Sequence, residues 1–147
     1  MFNAIYLDAN VLMDFIDDRR EGHLNAKKIV ISQLEKNRKF FTSCDIITTI
    51  YYLSAKYNKK EALKQIENIN NFCLIVDFSN SEIASVCALM NSNKNFVDLE
   101  DTLQYILAKK SGCELIVSND KKFYSPDITL MRSDEFCDKY GASYEDR

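Results

Sequence analysis

Residues 97–123 read VDLEDTLQYILAKKSGCELIVSNDKKF. Leu103, Ile106 and Leu107 fall on one helical face, behind an acidic first turn that suits a helix N-terminus. Gly112 supplies a stop. The run ELIVS, residues 114–118, is short with an unbroken apolar centre, like a parallel strand buried on both faces. An acid, Asp120, follows it. The stretch is therefore a helix, a tight stop, a buried strand and a carboxylate at the strand's carboxyl end.

The same alternation extends in both directions. Residues 3–7, NAIYL, predict a strand ending at Asp8, and Val11–Ile16 predict a short helix. Helices are expected over 24–37, 46–57, 59–70 and from Ser79 or Ser81 to about Met90, with strands over 39–43 and 72–76. Residues 128–131 suit a fifth strand, and a small helix holding Phe136 is expected from Ser133. This pattern predicts an α/β fold, a three-layer α/β/α sandwich around a mainly parallel sheet of four or five strands. The 147 residues suit one domain, taken as 1–141, followed by a frayed tail over 142–147.

Composition narrows the function. The net charge of −3 argues against a binder held to nucleic acid mainly by its own basic surface. It is compatible with acids that recruit cations to a phosphate. Five cysteines, none in a Cys-x-x-Cys pair, are expected to be reduced, buried thiols. The single histidine, His23, lies in the polar stretch RREGHLN, is expected on the surface, and offers no evident partner to a cysteine nucleophile. The N-terminal stretch carries Asp8 and Asp14 and lacks a basic leader, so it does not read as a signal peptide. No run of about 18 uncharged apolar residues exists, so no membrane span is expected and the cytoplasm is the expected location.

Open α/β sheets bind ligands at the carboxyl ends of their strands. Asp8 and Asp120 fall at two such ends, although acids are also common there simply as turn formers. Asp98 and Asp101, three residues apart, share a helix face, with Glu100 expected to point elsewhere. Acids gathered without basic partners repel unless a cation compensates. Oxygen donors without His or Cys favour Mg²⁺ or Mn²⁺ over zinc, and with them phosphate chemistry. A phosphoacceptor receiver or a haloacid-dehalogenase-type phosphatase also places Asp after a strand. The phosphatase wants a second acid where this chain has Asn10, and only Lys121 speaks for the receiver.

The chain resembles a PIN domain, the nuclease domain of VapC-type toxins and related ribonucleases, over nearly its whole length. The resemblance rests on LDANVLMDF, on ITTIYYLSAKY and on residues 97–123. It implies that Asp8, Asp98, Asp101 and Asp120 hold Mg²⁺ or Mn²⁺ for hydrolysis of RNA, leaving a 5′-phosphate. Asn10, Thr49 and Ser118 would support the site. It also implies a protein antitoxin, which lays a helical segment in an apolar groove, and a possible homodimer. One position departs from the family pattern: Thr49 stands where an acid is usual early in the middle helix. Asp45, one turn earlier, reads as a helix cap. An inactive scaffold that binds RNA or a protein is the alternative this departure favours. Asp14 is expected on the surface. Tyr51 and Tyr52 are expected in core or interface packing, and Lys109, Lys110, Lys121 and Lys122 on a solvated face.

Overall fold

A computed structural model describes residues 2–141; the expected frayed tail lies outside the described residues. Five strands, β1 Ala4–Leu7, β2 Lys39–Ser43, β3 Cys73–Val76, β4 Leu115–Val117 and β5 Thr129–Met131, form one sheet in the order β3-β2-β1-β4-β5. Every pairing is parallel. The helices are α1 Ala9–Ile16, α2 His23–Glu35, α3 Cys44–Ala55, α4 Lys59–Phe72, α5 Asn80–Ser92, α6 Leu99–Lys110 and α7 Ser133–Tyr140. This is the α/β sandwich expected from the sequence, with five strands and no antiparallel member.

Alternation along the central strands divides the core in two. Successive strand side chains point to opposite faces. Ile5, Leu7, Leu115 and Val117 therefore enter one core, with Val11, Ile29, Ile46 and Phe136 from the helices. Tyr6 and Ile116 enter the other, with Val86 of α5 and Leu103 and Leu107 of α6. Both faces of the central strands are covered, which is why their sequences run apolar without interruption.

Strand order places the site. The chain fills one side of β1 with β2 and β3, then crosses to the other side for β4 and β5. The reversal falls between β1 and β4, where Leu7 is in register with Val117. Such a switch point opens a crevice beyond the strands' carboxyl ends. Asp8 leaves β1 there, its N–H donating to the Val117 carbonyl at 3.1 Å.

Several surface expectations are corrected. Asp14 is buried, 6% exposed, because Arg20 Nε donates to its Oδ1 at 2.7 Å. The Asp14 carbonyl lies 2.8 Å from His23 Nδ1, so His23 is half-buried rather than on the open surface. Tyr51 and Tyr52 are exposed on α3, with Lys56 Nζ 4.7 Å from the Tyr52 ring centre. Cys73 and Cys113 are buried, as expected, but Cys87 is exposed. Lys121 and Lys122 are exposed. Lys109 and Lys110 are exposed too, and they carry partners: Lys109 Nζ lies 2.6 Å from Asp127 and Lys110 Nζ 3.9 Å from Glu82. No described helix is long and apolar enough to cross a membrane.

Burial of Asp14 fixes the residue at 22. A Cβ on Gly22 would stand 2.2 Å from Asp14 Oδ2 and 2.7 Å from its Cγ. Gly22→Ala is therefore expected to displace the carboxylate from Arg20 and cost about 1–3 kcal/mol. In a double-mutant cycle with Asp14→Ala, measured by urea unfolding, the two losses should be clearly less than additive. Strict additivity would show that the clash does not act through Asp14.

Candidate active site

Each acid at the switch point is placed by a local structural rule. Asp8 stands between β1 and α1, and its carboxylate accepts the Ala9 N–H at 2.8 Å, an aspartate at a helix start. Its other oxygen accepts the Ser118 hydroxyl at 2.7 Å. Ser118 in turn accepts the Asp120 N–H at 3.2 Å. One buried hydroxyl thus ties the acid after β1 to the acid after β4. Asn10 adds a weaker tie, its Oδ1 3.4 Å from the Asn119 N–H. Asn119 also accepts the N–H of Ser133, at the start of α7, at 2.9 Å.

Helix α6 brings the third acid. Asp98 is its N-cap, and Asp98 Oδ2 accepts the Asp101 N–H at 2.9 Å. Asp98 is exposed and Asp101 half-buried. The carboxyl groups of Asp101 and Asp120 lie in hydrogen-bonding contact. Asp101 Oδ2 is sealed from solvent and has no hydrogen-bond partner.

Electrostatics follow from this crowding. Burial pushes the Asp101 carboxyl up to about 8, helped by contact with Asp120 and the charges of Asp8, Asp120 and Asp98. Burial also raises Asp8, with Asp120 and Asp45 adding repulsion while Ser118 and the Ala9 N–H oppose it. Glu100 is raised by burial and by Asp45, Asp8, Asp98 and Asp120. Glu100 itself is exposed. Asp45 adds to the negative charge. It lies in the first turn of α3, where it accepts the Ser43 hydroxyl, and its charge reaches Asp8, Glu100 and Tyr6.

Asp8, Asp101 and Asp120 thus meet at the crevice, with Asp98 at its rim and Ser118 beneath. Thr49 is exposed on α3. No ion pair found among the described residues involves Asp8, Asp45, Asp98, Glu100, Asp101 or Asp120. Among the described residues, no three His, Cys, Asp or Glu side chains form a ready-made metal shell. The donor set nevertheless suits a hard cation. It consists of carboxylate oxygens, one of them buried and unpartnered. Sequence reasoning treated Asp45 as a cap; Ser43 holds the N-cap position and Asp45 lies in the first turn of α3.

Comparison with known proteins places this arrangement. The PIN domain family matches residues 5–128. Ribonuclease VapC1 of Aquifex aeolicus (strain VF5) is 45% identical over 136 residues, covering 92% of this chain and 94% of that protein. Among solved structures, VapBC-1 from nontypeable Haemophilus influenzae aligns with a TM-score of 0.66 at 15% identity, over 89% of this chain and 98% of that one. VapBC2 from Rickettsia felis, bound to a promoter DNA fragment, aligns with a TM-score of 0.65 at 18% identity, over 86% and 96%. At such identities these two establish the shared fold alone. The family match and the Aquifex relative go further, and with them the chain belongs to the PIN domain family, among the VapC ribonucleases.

Proposed function

We propose that the protein is a Mg²⁺- or Mn²⁺-dependent endoribonuclease whose ion is held by Asp8, Asp101 and Asp120, with Asp98 acting through water. The observation that carries this reading is the meeting of three carboxylates from the ends of β1 and β4 and the start of α6 at one switch point. Mg²⁺ uses one or two carboxylates and keeps several waters, so a loose carboxylate set suits it. When bound, such an ion acidifies water and offsets the charge that develops on phosphoryl oxygens. Ser118 holds the Asp8 carboxylate in one orientation and leaves it acceptor-only. The Asp98 cap fixes the first turn of α6, and so the direction of Asp101. The family's usual acid is absent at Thr49, but three carboxylates remain convergent, which favours catalysis over an inert scaffold.

Incubation with mixed RNA tests this directly. Cleavage is expected with Mn²⁺, none with EDTA, and 5′-phosphate ends on the products. Cleavage that survives EDTA, or no cleavage with Mn²⁺, would overturn the proposal.

A protein antitoxin is the proposed partner, since several fold neighbours are toxin–antitoxin complexes. A groove of about 860 Å³, apolar along Met13, Phe15, Leu53 and Phe72 and rimmed by both signs of charge at Asp17, Arg19, Lys56 and Glu61, suits an amphipathic helical segment.

A further inference from the structure

Asn119 stands between Ser118 and Asp120 and ties their turn to two helices. Ser118 still belongs to the sheet, its N–H donating to the Met131 carbonyl at 3.1 Å. Asn119 and Asp120 lie beyond β4, where the chain has no regular structure. Such segments move more than the elements they join unless side chains hold them. Asn119 supplies that hold. Its Oδ1 accepts the Ser133 N–H, at the start of α7, at 2.9 Å. Its own N–H reaches Asn10 Oδ1 and its Nδ2 reaches Asp14 Oδ2, both on α1 and both at the longer distance of 3.4 Å.

These partners fix which way the amide faces. A backbone N–H can only donate, so Ser133 takes the amide oxygen and the NH₂ group is left toward the Asp14 carboxylate. Asp14 is a buried acid on the far side of α1 from solvent, 6% exposed. Burying a carboxylate is costly unless its oxygens find donors. Arg20 Nε serves Oδ1 at 2.7 Å, and Asn119 serves Oδ2. The proposed chemistry makes no use of Asp14, yet the residue it holds is the one that joins Ser118 to Asp120.

We propose that Asn119 is a positioning residue of the metal site, with the buried Asp14 as its anchor. The pair sets the turn that carries Asp120 and the Ser118 hydroxyl that orients Asp8. This rests on the metal-dependent reading above, and neither side chain is itself a ligand.

An exchange of partners tests it. Asn119→Asp keeps the acceptor for Ser133 and sets one carboxylate against another. Asp14→Asn keeps the acceptor for Arg20 and turns an NH₂ group toward that of Asn119. Each single variant sets like against like, whereas the double variant restores one donor and one acceptor. The full chain is titrated with Mn²⁺ and followed by electron paramagnetic resonance. Each single variant should bind about 10–100-fold more weakly, and the double variant should regain most of the affinity, with unchanged far-ultraviolet circular dichroism throughout. An added negative charge near the crevice would by itself strengthen cation binding, so weaker binding by folded Asn119→Asp reports geometry. Asn119→Ala, which removes the side-chain bonds without adding charge, should lose affinity as well. Wild-type or tighter binding in Asn119→Asp or Asn119→Ala, or no recovery in the double variant, would overturn the assignment. Asp101→Asn separates the two readings. If it loses Mn²⁺ while the Asn119 variants keep it, only the positioning role fails. If Asp101→Asn binds Mn²⁺ as tightly as wild type, the metal site itself is wrong.

Discussion

Replacing Asp8 or Asp101 by Asn should lower Mn²⁺-dependent RNA cleavage by more than about 100-fold, the upper end of what loss of even a supporting partner costs at a metal site, while the protein remains folded. Asn preserves the shape of both side chains. At position 8 it still accepts the Ala9 N–H and serves as a helix N-cap. At position 101 it replaces the acid whose buried oxygen has no partner and whose carboxyl abuts Asp120. Asp8→Asn thus takes a carboxylate from the crevice, and Asp101→Asn takes a carboxyl whose proton a bound cation would displace. Initial rates on mixed RNA at saturating Mn²⁺, with thermal melts as the folding control, decide it. Full activity in either variant would remove that residue from the site.

The second large effect is on stability and depends on pH. The Asp101 carboxyl keeps its proton to about 8 in the folded chain, whereas an unfolded Asp loses it near 3.9. Between those values the native state binds more protons than the unfolded one. Stability of the metal-free protein therefore falls as pH rises through that window. Below it the group contributes nothing, and above about 8 the penalty is complete. In EDTA, the melting temperature should drop from pH 5 to pH 8, and Asp101→Asn should flatten that drop. Mn²⁺ at ~100 times its Kd should restore about 2.7 kcal/mol, several degrees of melting temperature, at pH 8. Its effect should be smaller at pH 5, where a proton competes for Asp101. A flat profile in EDTA, or equal Mn²⁺ stabilisation of Asp101→Asn, would contradict this account.

Much of the architecture could be read before the structure because its strands are buried on both faces. AIYL and LIV carry no polar interruption, so their period and their ends are plain. The acids after them could be chosen because strand ends at a switch point form crevices. Two features resisted the same reading for identifiable reasons. Asp14 was assigned to the surface because isolated acids are rarely buried, and its partner Arg20 lies beyond the end of α1, across a turn that the sequence does not define. Asp45 looked like a cap because its distance from Asp8 is set by pairing of β1 with β2, and local spacing carries no such information.

Register along β1 has a consequence for how this sequence can diverge. Ile5 and Leu7 face one core, Tyr6 the other, and Leu7 aligns with Val117. Gaining or losing one residue within Ala4–Leu7 would exchange the two sets of side chains and move Asp8 along the strand by about 3.3 Å relative to Asp120. Both folding and the carboxylate spacing would suffer at once. Length variation among relatives should therefore gather in turns remote from this crevice, such as that at 56–58, and spare the segments that join β1 to Asp8 and β4 to Asp120.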